Sequence, residues 1–199
     1  MRVHYILSAV CVTICLGLSA CASHTPQVLK SDQNPGVVNI IALLPVDSNA
    51  ADTKASKMLR SKLSEELRFK GYPQISSDII DSKLTPLAGG GEMKKNNVIP
   101  PKAIEELLGA DGAMYCSILE NQSSTRLFYA PVSVSVRCEL RSTKTGETLW
   151  NAQYKSTSRS FDLFRSRLNL KSRGDLEEAL EEVVGKVMET LPYGPKLRG

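Results

Sequence analysis

The sequence predicts an α/β (α+β) domain, and three observations carry that prediction. A β-branched apolar run is followed by an amphipathic helix and a short apolar segment, the order of a β-α-β start. Two later segments alternate apolar and polar residues around a glycine turn, as an antiparallel meander does. A further amphipathic stretch then closes the chain as a C-terminal helix.

Val37–Leu44 is apolar apart from Asn39 and stops at Pro45, which fits a strand buried on both faces and hence central. From Asp52 to Lys70, apolar side chains recur at Ala55, Met58, Leu59, Leu63, Leu67 and nearly Phe69, and Gly71 supplies a C-terminal stop. Tyr72–Ile75 suits a short strand parallel to the first. Ser77-Asp78 is placed to cap a short helix reaching Leu84.

Ala88–Asn97, AGGGEMKKNN, has the glycines of a phosphate cradle but neither the Lys-Ser/Thr ending nor a strand-to-helix setting, and reads as a mobile loop. Pro100-Pro101 opens another helix, with Ile104, Leu107 and Leu108 on one face and Gly109 at its end. Met114, Cys116 and Ile118 alternate along one strand, and Val132, Val134, Val136, Cys138 and Leu140 along the next.

The segment TKTGE suggests a three-residue loop, Lys144-Thr145-Gly146, with Gly146 in the left-handed region. That loop pairs Thr143 with Glu147, Leu140 with Trp150, Cys138 with Ala152 and Val136 with Tyr154. The last three pairs fall on one apolar face, so turn and side-chain pattern specify the same register. Trp150 reads as a core anchor beneath a helix. A turn near Leu127 brings Cys116 opposite Cys138, a candidate disulfide under oxidising conditions.

Residues 159–173, RSFDLFRSRLNLKSR, carry Arg159, Arg165, Arg167, Lys171 and Arg173 against one acid, Asp162, with apolar residues interleaved. The plain reading is a loop of solvated charges, and it is also the candidate partner-contact surface for lipid headgroups, glycan or protein. Asp175 is expected to cap the last helix, with Glu178 completing a capping box. Leu176, Leu180, Val183, Val184, Val187 and Leu191 form its stripe before Pro192, and the tail from Tyr193 is expected to fray.

The start of the chain has a different logic. Met1–Tyr5 is a short basic head and Ile6–Leu18 is almost wholly apolar, too short to span a bilayer comfortably. Residues 1–20 therefore read as an export signal, removed with Cys11 and Cys15. Leu18-Ser19-Ala20-Cys21 resembles the lipobox of bacterial lipoproteins. The resemblance implies cleavage before Cys21 and acylation of that residue. Several chains would hold what one cannot, at about 0.8 kcal/mol per buried methylene. Ala22, where an aspartate would signal retention at the inner membrane, implies the outer membrane.

Residues 21–36 form the lipidated cysteine and its tether, 37–192 the single periplasmic domain, and 193–199 a tail. The tether ASHTPQVLKSDQNPG lacks periodicity, and its His24 reads as solvated.

The net charge, +4, falls to +3 when the signal takes Arg2 with it, which argues against nucleic acid as a partner. With His24 alone left after cleavage, the domain holds no histidine for a Ser-His pair, a Cys-His pair or a histidine-based metal site. No cofactor, metal or enzymatic activity is expected.

The lipobox, PPKAIEELLGADGAMYCSILE from Pro100 to Glu120, and VSVRCELRSTKTGETLW from Val134 to Trp150 together resemble an uncharacterised family of bacterial lipoproteins that includes a neisserial surface-antigen candidate. The resemblance covers most of residues 37–160. That family is similar in fold to the amino-terminal domain of TolB, to the curli-secretion lipoprotein and to lipoprotein activators of penicillin-binding proteins. It implies a mixed sheet with helices mainly on one face, and brings no catalytic residues.

Its gene neighbourhoods imply a second envelope lipoprotein, curli-channel-like, as partner, and a homo-oligomer is compatible with this. The functional expectation is an accessory or structural component of an outer-membrane export or surface-assembly system. The alternative is a lipoprotein regulator of a peptidoglycan synthase. The short tether, with a root-mean-square span of about 20–25 Å, favours a domain held near its own membrane.

Overall fold

The computed structural model describes residues 38–48, 53–86, 99–124 and 128–197. The leader, Cys21, the tether with His24 and the glycine-rich stretch Ala88–Asn97 lie outside them. In chain order the elements are β1 (Ile41–Leu43), β2 (Asp47–Ser48), α1 (Thr53–Phe69), α2 (Ser77–Leu84), α3 (Pro101–Leu108), β3 (Gly112–Ser123), β4 (Tyr129–Ser142), β5 (Thr148–Phe161) and α4 (Arg165–Glu189). They form a mixed sheet of order β1-β3-β4-β5, with β2 also on β3. β1 and β2 run parallel to β3, whereas β3, β4 and β5 are an antiparallel meander.

The first strand is buried on both faces but is not central. β1 pairs with β3 on one side, and its other side carries a single parallel bridge, Ile41 to Gln74. Burial on both faces comes from the helices. Ile41 and Leu43 join α1 and α4 in the larger core, while Ala42 and Leu44 join α2 and α3 in a smaller one. The two long helices thus cover one face, and the two short ones cover the β1 end of the other. The expected strand at Tyr72–Ile75 is reduced to that Gln74 bridge, so the β-α-β start survives in minimal form.

α1 buries Ala55, Leu59, Leu63 and Leu67 at the expected helical spacing, whereas Phe69 is 67% exposed. Each fully buried leucine contributes about 1.5–3 kcal/mol. The helix ends in a Schellman motif: Tyr72 N–H donates to Leu67 O and Gly71 N–H to Arg68 O, with Gly71 at φ +84°. This end anchors the C-terminus. Gly194 N–H donates to Lys70 O, Lys196 N–H to Gly71 O, and Tyr72 Oη–H to Pro192 O. A Cβ on Gly194 would lie 2.7 Å from the Gly71 backbone. The tail is therefore docked through residue 197 rather than frayed.

α2 is entered from Ser76 rather than capped by Ser77-Asp78, and no side chain caps it. α3 starts at Pro101 and buries Ile104, as its sequence suggests.

The meander keeps the predicted register by an unpredicted route. Leu140 faces Trp150, Cys138 faces Ala152 and Val136 faces Tyr154. The loop, however, is closed by Ser142 N–H on Glu147 O and Gly146 N–H on Ser142 O, with Gly146 at φ +77°. Thr143 leaves the ladder, and the register shifts between Leu140 and Arg141, which faces Thr148. A loop one residue longer and a bulge at Leu149 offset each other, so the apolar face is unchanged. Thr143 is fully buried instead, donating Oγ1–H to Ala110 O at 2.6 Å and N–H to Asp111 O.

Candidate functional site

Trp150 is 7% exposed and packs among residues of the meander and α4, with its indole N–H on Thr190 Oγ1 at 3.1 Å. It is a core anchor. Cys116 and Cys138 are ladder partners on β3 and β4, both buried, and the structure joins them as a disulfide.

The basic segment differs most from its sequence reading. β5 continues to Phe161, and α4 begins at Arg165, ten residues before the expected cap at Asp175. Asp175 and Glu178 therefore lie inside a helix and make no capping box. The early start lacks a side-chain cap at Phe164; instead Asp162 accepts the Phe164 N–H at 3.0 Å and holds Lys171 at 2.8 Å. These contacts, the Lys171 ammonium first, keep the Asp162 carboxyl below its usual range.

Arg165, Arg167, Lys171 and Arg173 all lie exposed on the first three turns of α4, with Leu168 the only buried residue there. Arg159 is exposed near the end of β5. The apolar residues among them are bare: Phe161 67%, Leu163 78%, Phe164 60% and Leu170 68% exposed. Phe128 joins them at 51% and accepts the Asp162 N–H on its carbonyl. The result is a basic, partly aromatic corner where β5 turns into α4.

This corner is remote from the point where the chain enters the domain. Val38 packs beside Gly112 and Leu140, at the same end as the β4–β5 loop. The thirteen steps from Thr148 to Phe161 along β5 span about 40 Å at 3.3 Å per residue.

Several other ionisable groups are committed to structure. On the sheet face away from α4, Arg141 grips Glu139 through two nitrogens at 2.9 and 2.8 Å, and Thr148 Oγ1 hydrogen-bonds the same carboxylate. The Arg141 contact, followed by Thr148, lowers the Glu139 pKa against its burial. Tyr115 lies under Arg141, donates to Ile99 O at 2.7 Å, and is pushed up to about 12 chiefly by burial. A carboxylate held ionised beside a phenol held neutral offers no acid–base couple near neutral pH.

Glu182 accepts from Ser156 at 2.6 Å and Tyr154 at 3.3 Å beside an open groove between α1 and α4. Among the described residues no cluster of three or more His, Cys, Asp or Glu could hold a metal ion. Among them, too, no helix is long and apolar enough to cross a membrane.

Fold and surface together define a small α/β module whose distinctive exposed feature is the basic, partly aromatic corner where β5 turns into α4. Residues 32–190 match the family described as "Putative lipoprotein GNA1162-like", and the chain belongs to that family. No curated protein matches it.

Among solved structures it is similar to lipoprotein GNA1162 from Neisseria meningitidis, at 15% identity over 70% of this chain and 96% of that one, with a TM-score of 0.53. It is also similar to PelC from Paraburkholderia phytofirmans, solved as a dodecamer, at 15% identity over 84% and 98% of the two chains, with a TM-score of 0.53. The LpoB C-terminal domain from Escherichia coli matches at 13% identity over 64% and 90%, with a TM-score of 0.45. At these identities the likeness to GNA1162 and PelC speaks for the fold alone.

Proposed function

We propose that the chain is a non-enzymatic lipoprotein of the bacterial envelope, cleaved before Cys21, acylated on it and held at the outer membrane with its domain facing the periplasm. There it serves as an accessory or structural component of an export or surface-assembly apparatus, beside another envelope lipoprotein. The observation that carries this reading is the lipobox, Leu18-Ser19-Ala20-Cys21, ahead of a domain of a lipoprotein family. Ala22 supports outer-membrane sorting, and the committed state of Glu139, Tyr115 and Glu182 supports a binding role over catalysis.

A structural role in several copies is in keeping with the dodecameric PelC. The Cys116–Cys138 bridge belongs to the same picture, as a covalent staple suited to an oxidising compartment.

The test is Cys21→Ser in the full chain, followed by radiolabelled palmitate and a carbonate wash of membranes. The parent takes up label and stays with the outer membrane, while the variant does neither. A variant that remains in washed membranes, or a parent that takes up no palmitate, refutes the anchor.

A further inference from the structure

We propose that two copies of this chain pair through α4, antiparallel about a two-fold axis at Gly174. The helix runs in the wrong electrical direction for its own stability. Arg165, Arg167, Lys171 and Arg173 occupy its N-terminal turns, where the macrodipole favours acids. Asp175, Glu177, Glu178, Glu181 and Glu182 follow, with Lys186 the basic residue of the last turn. Such an order is self-complementary. A two-fold at position 174 sets Arg167 against Glu181 and Lys171 against Glu177, both pairs opposite in sign.

The side chains are available for this. Arg167, Lys171, Glu177 and Glu181 are exposed. Within one copy Lys171 meets Asp162 and Glu181 meets Lys62, yet the Lys171 and Glu181 side chains remain 50% and 73% exposed and can meet a second copy as well.

The apolar groups agree with the charges. Leu170, 68% exposed, lies on the outer side of the helix, opposite the buried Leu168. Gly174 and Gly185 are both exposed, and a Cβ on either would meet nothing within 4 Å. Packing within one copy therefore gives no reason for two glycines that each cost the helix about 1 kcal/mol relative to alanine. Close approach of a second helix does.

An acidic partner protein or an anionic bilayer would be served by the basic turns alone and leaves the mirrored acidic turns unexplained. The pairing is independent of the lipid anchor.

The test uses the full chain in isolated membranes. Gly174 lies opposite itself in this arrangement, so Gly174→Cys should give a disulfide-linked dimer on non-reducing gels after copper-phenanthroline oxidation. The parent and an α3 control, Glu106→Cys, should not. Adding Arg167→Glu and Lys171→Glu should cut the cross-linked fraction at least about fivefold, and further adding Glu181→Arg and Glu177→Lys should restore it. Absence of cross-linking in a Gly174→Cys protein with an unchanged melting temperature overturns the proposal. So does loss on charge reversal without rescue, which would identify an acidic protein or an anionic membrane as the occupant.

Discussion

Reducing the Cys116–Cys138 bridge should lower stability by an amount that chain entropy sets. The cysteines are 22 residues apart, and closing a loop of that size removes roughly 3.4 kcal/mol of denatured-state entropy at 25 °C. For a domain of this size each kcal/mol moves Tm by about 2–4 °C, so the shift should be roughly 7–14 °C. Both residues are buried beneath α1 and α4, so complete reduction requires opening or strong denaturant.

The assay is thermal unfolding by circular dichroism of protein made in the periplasm, oxidised and after reduction under denaturant and refolding. Cys116→Ala/Cys138→Ala serves as the control that should ignore reductant. The variant should melt near the reduced parent, somewhat lower because two sulfur atoms leave the core. Equal melting temperatures for oxidised and reduced parent would refute the reasoning, as would alkylation of both thiols in protein never exposed to reductant.

Trp150→Ala should destabilise by about 3–5 kcal/mol as a core truncation that also removes the indole donor to Thr190 Oγ1; an unchanged denaturation midpoint would contradict its burial. Thr143→Val keeps the shape but leaves Ala110 O without its hydroxyl donor, and should cost about 1–3 kcal/mol in urea unfolding. Tyr115, with its pKa raised to about 12 by burial, should appear in a 295 nm titration as a tyrosine ionising well after the others. Because its folded pKa lies above the unfolded value of about 10, its stabilising contribution is complete below pH 10 and lost as pH rises through 12. Tyr115→Phe should remove the late step, and simultaneous ionisation of every tyrosine near pH 10 would sink the assignment.

The parts of the fold that were legible in sequence are those where two independent signals agree. In the meander, the period-two alternation and the Gly146 turn specify one register, and that register is present even though the loop is built differently. In α1, apolar spacing and Gly71 agree in the same way. Single signals misled. The apolar run at Val37–Leu44 reports burial on both faces, but helices as well as strands can supply that burial, so it does not establish a central position.

Thr143 could not be found from its neighbours in sequence, because its partners Ala110 and Asp111 lie 33 and 32 residues away. The candidate contact residues were identified by charge alone, and their helical setting was not, since only Leu168 marks a buried position among them.

The start of α4 misled for a reason that bears on its dynamics. Every local rule places the beginning at Asp175: an acidic cap, a glutamate three residues on, and a glycine just before. The ten residues that precede it have basic charge against the dipole, no side-chain cap at Phe164, and Gly174 at their end. What holds them helical in one copy is the burial of Leu168 and the link from Asp162 to Lys171 and the Phe164 amide. Their local stability must therefore be well below that of Ala179–Met188, which buries six side chains against the sheet and α1.

Native-state hydrogen exchange should show this as early exchange over residues 168–174 and late exchange over 180–188 in dilute protein. Asp162→Asn should speed the first segment by weakening its grip on Lys171, and leave the second unchanged. If the basic turns instead exchange as slowly as the core turns at every dilution, contacts within one copy suffice to hold them, and the account of why the sequence hides this helix start is wrong.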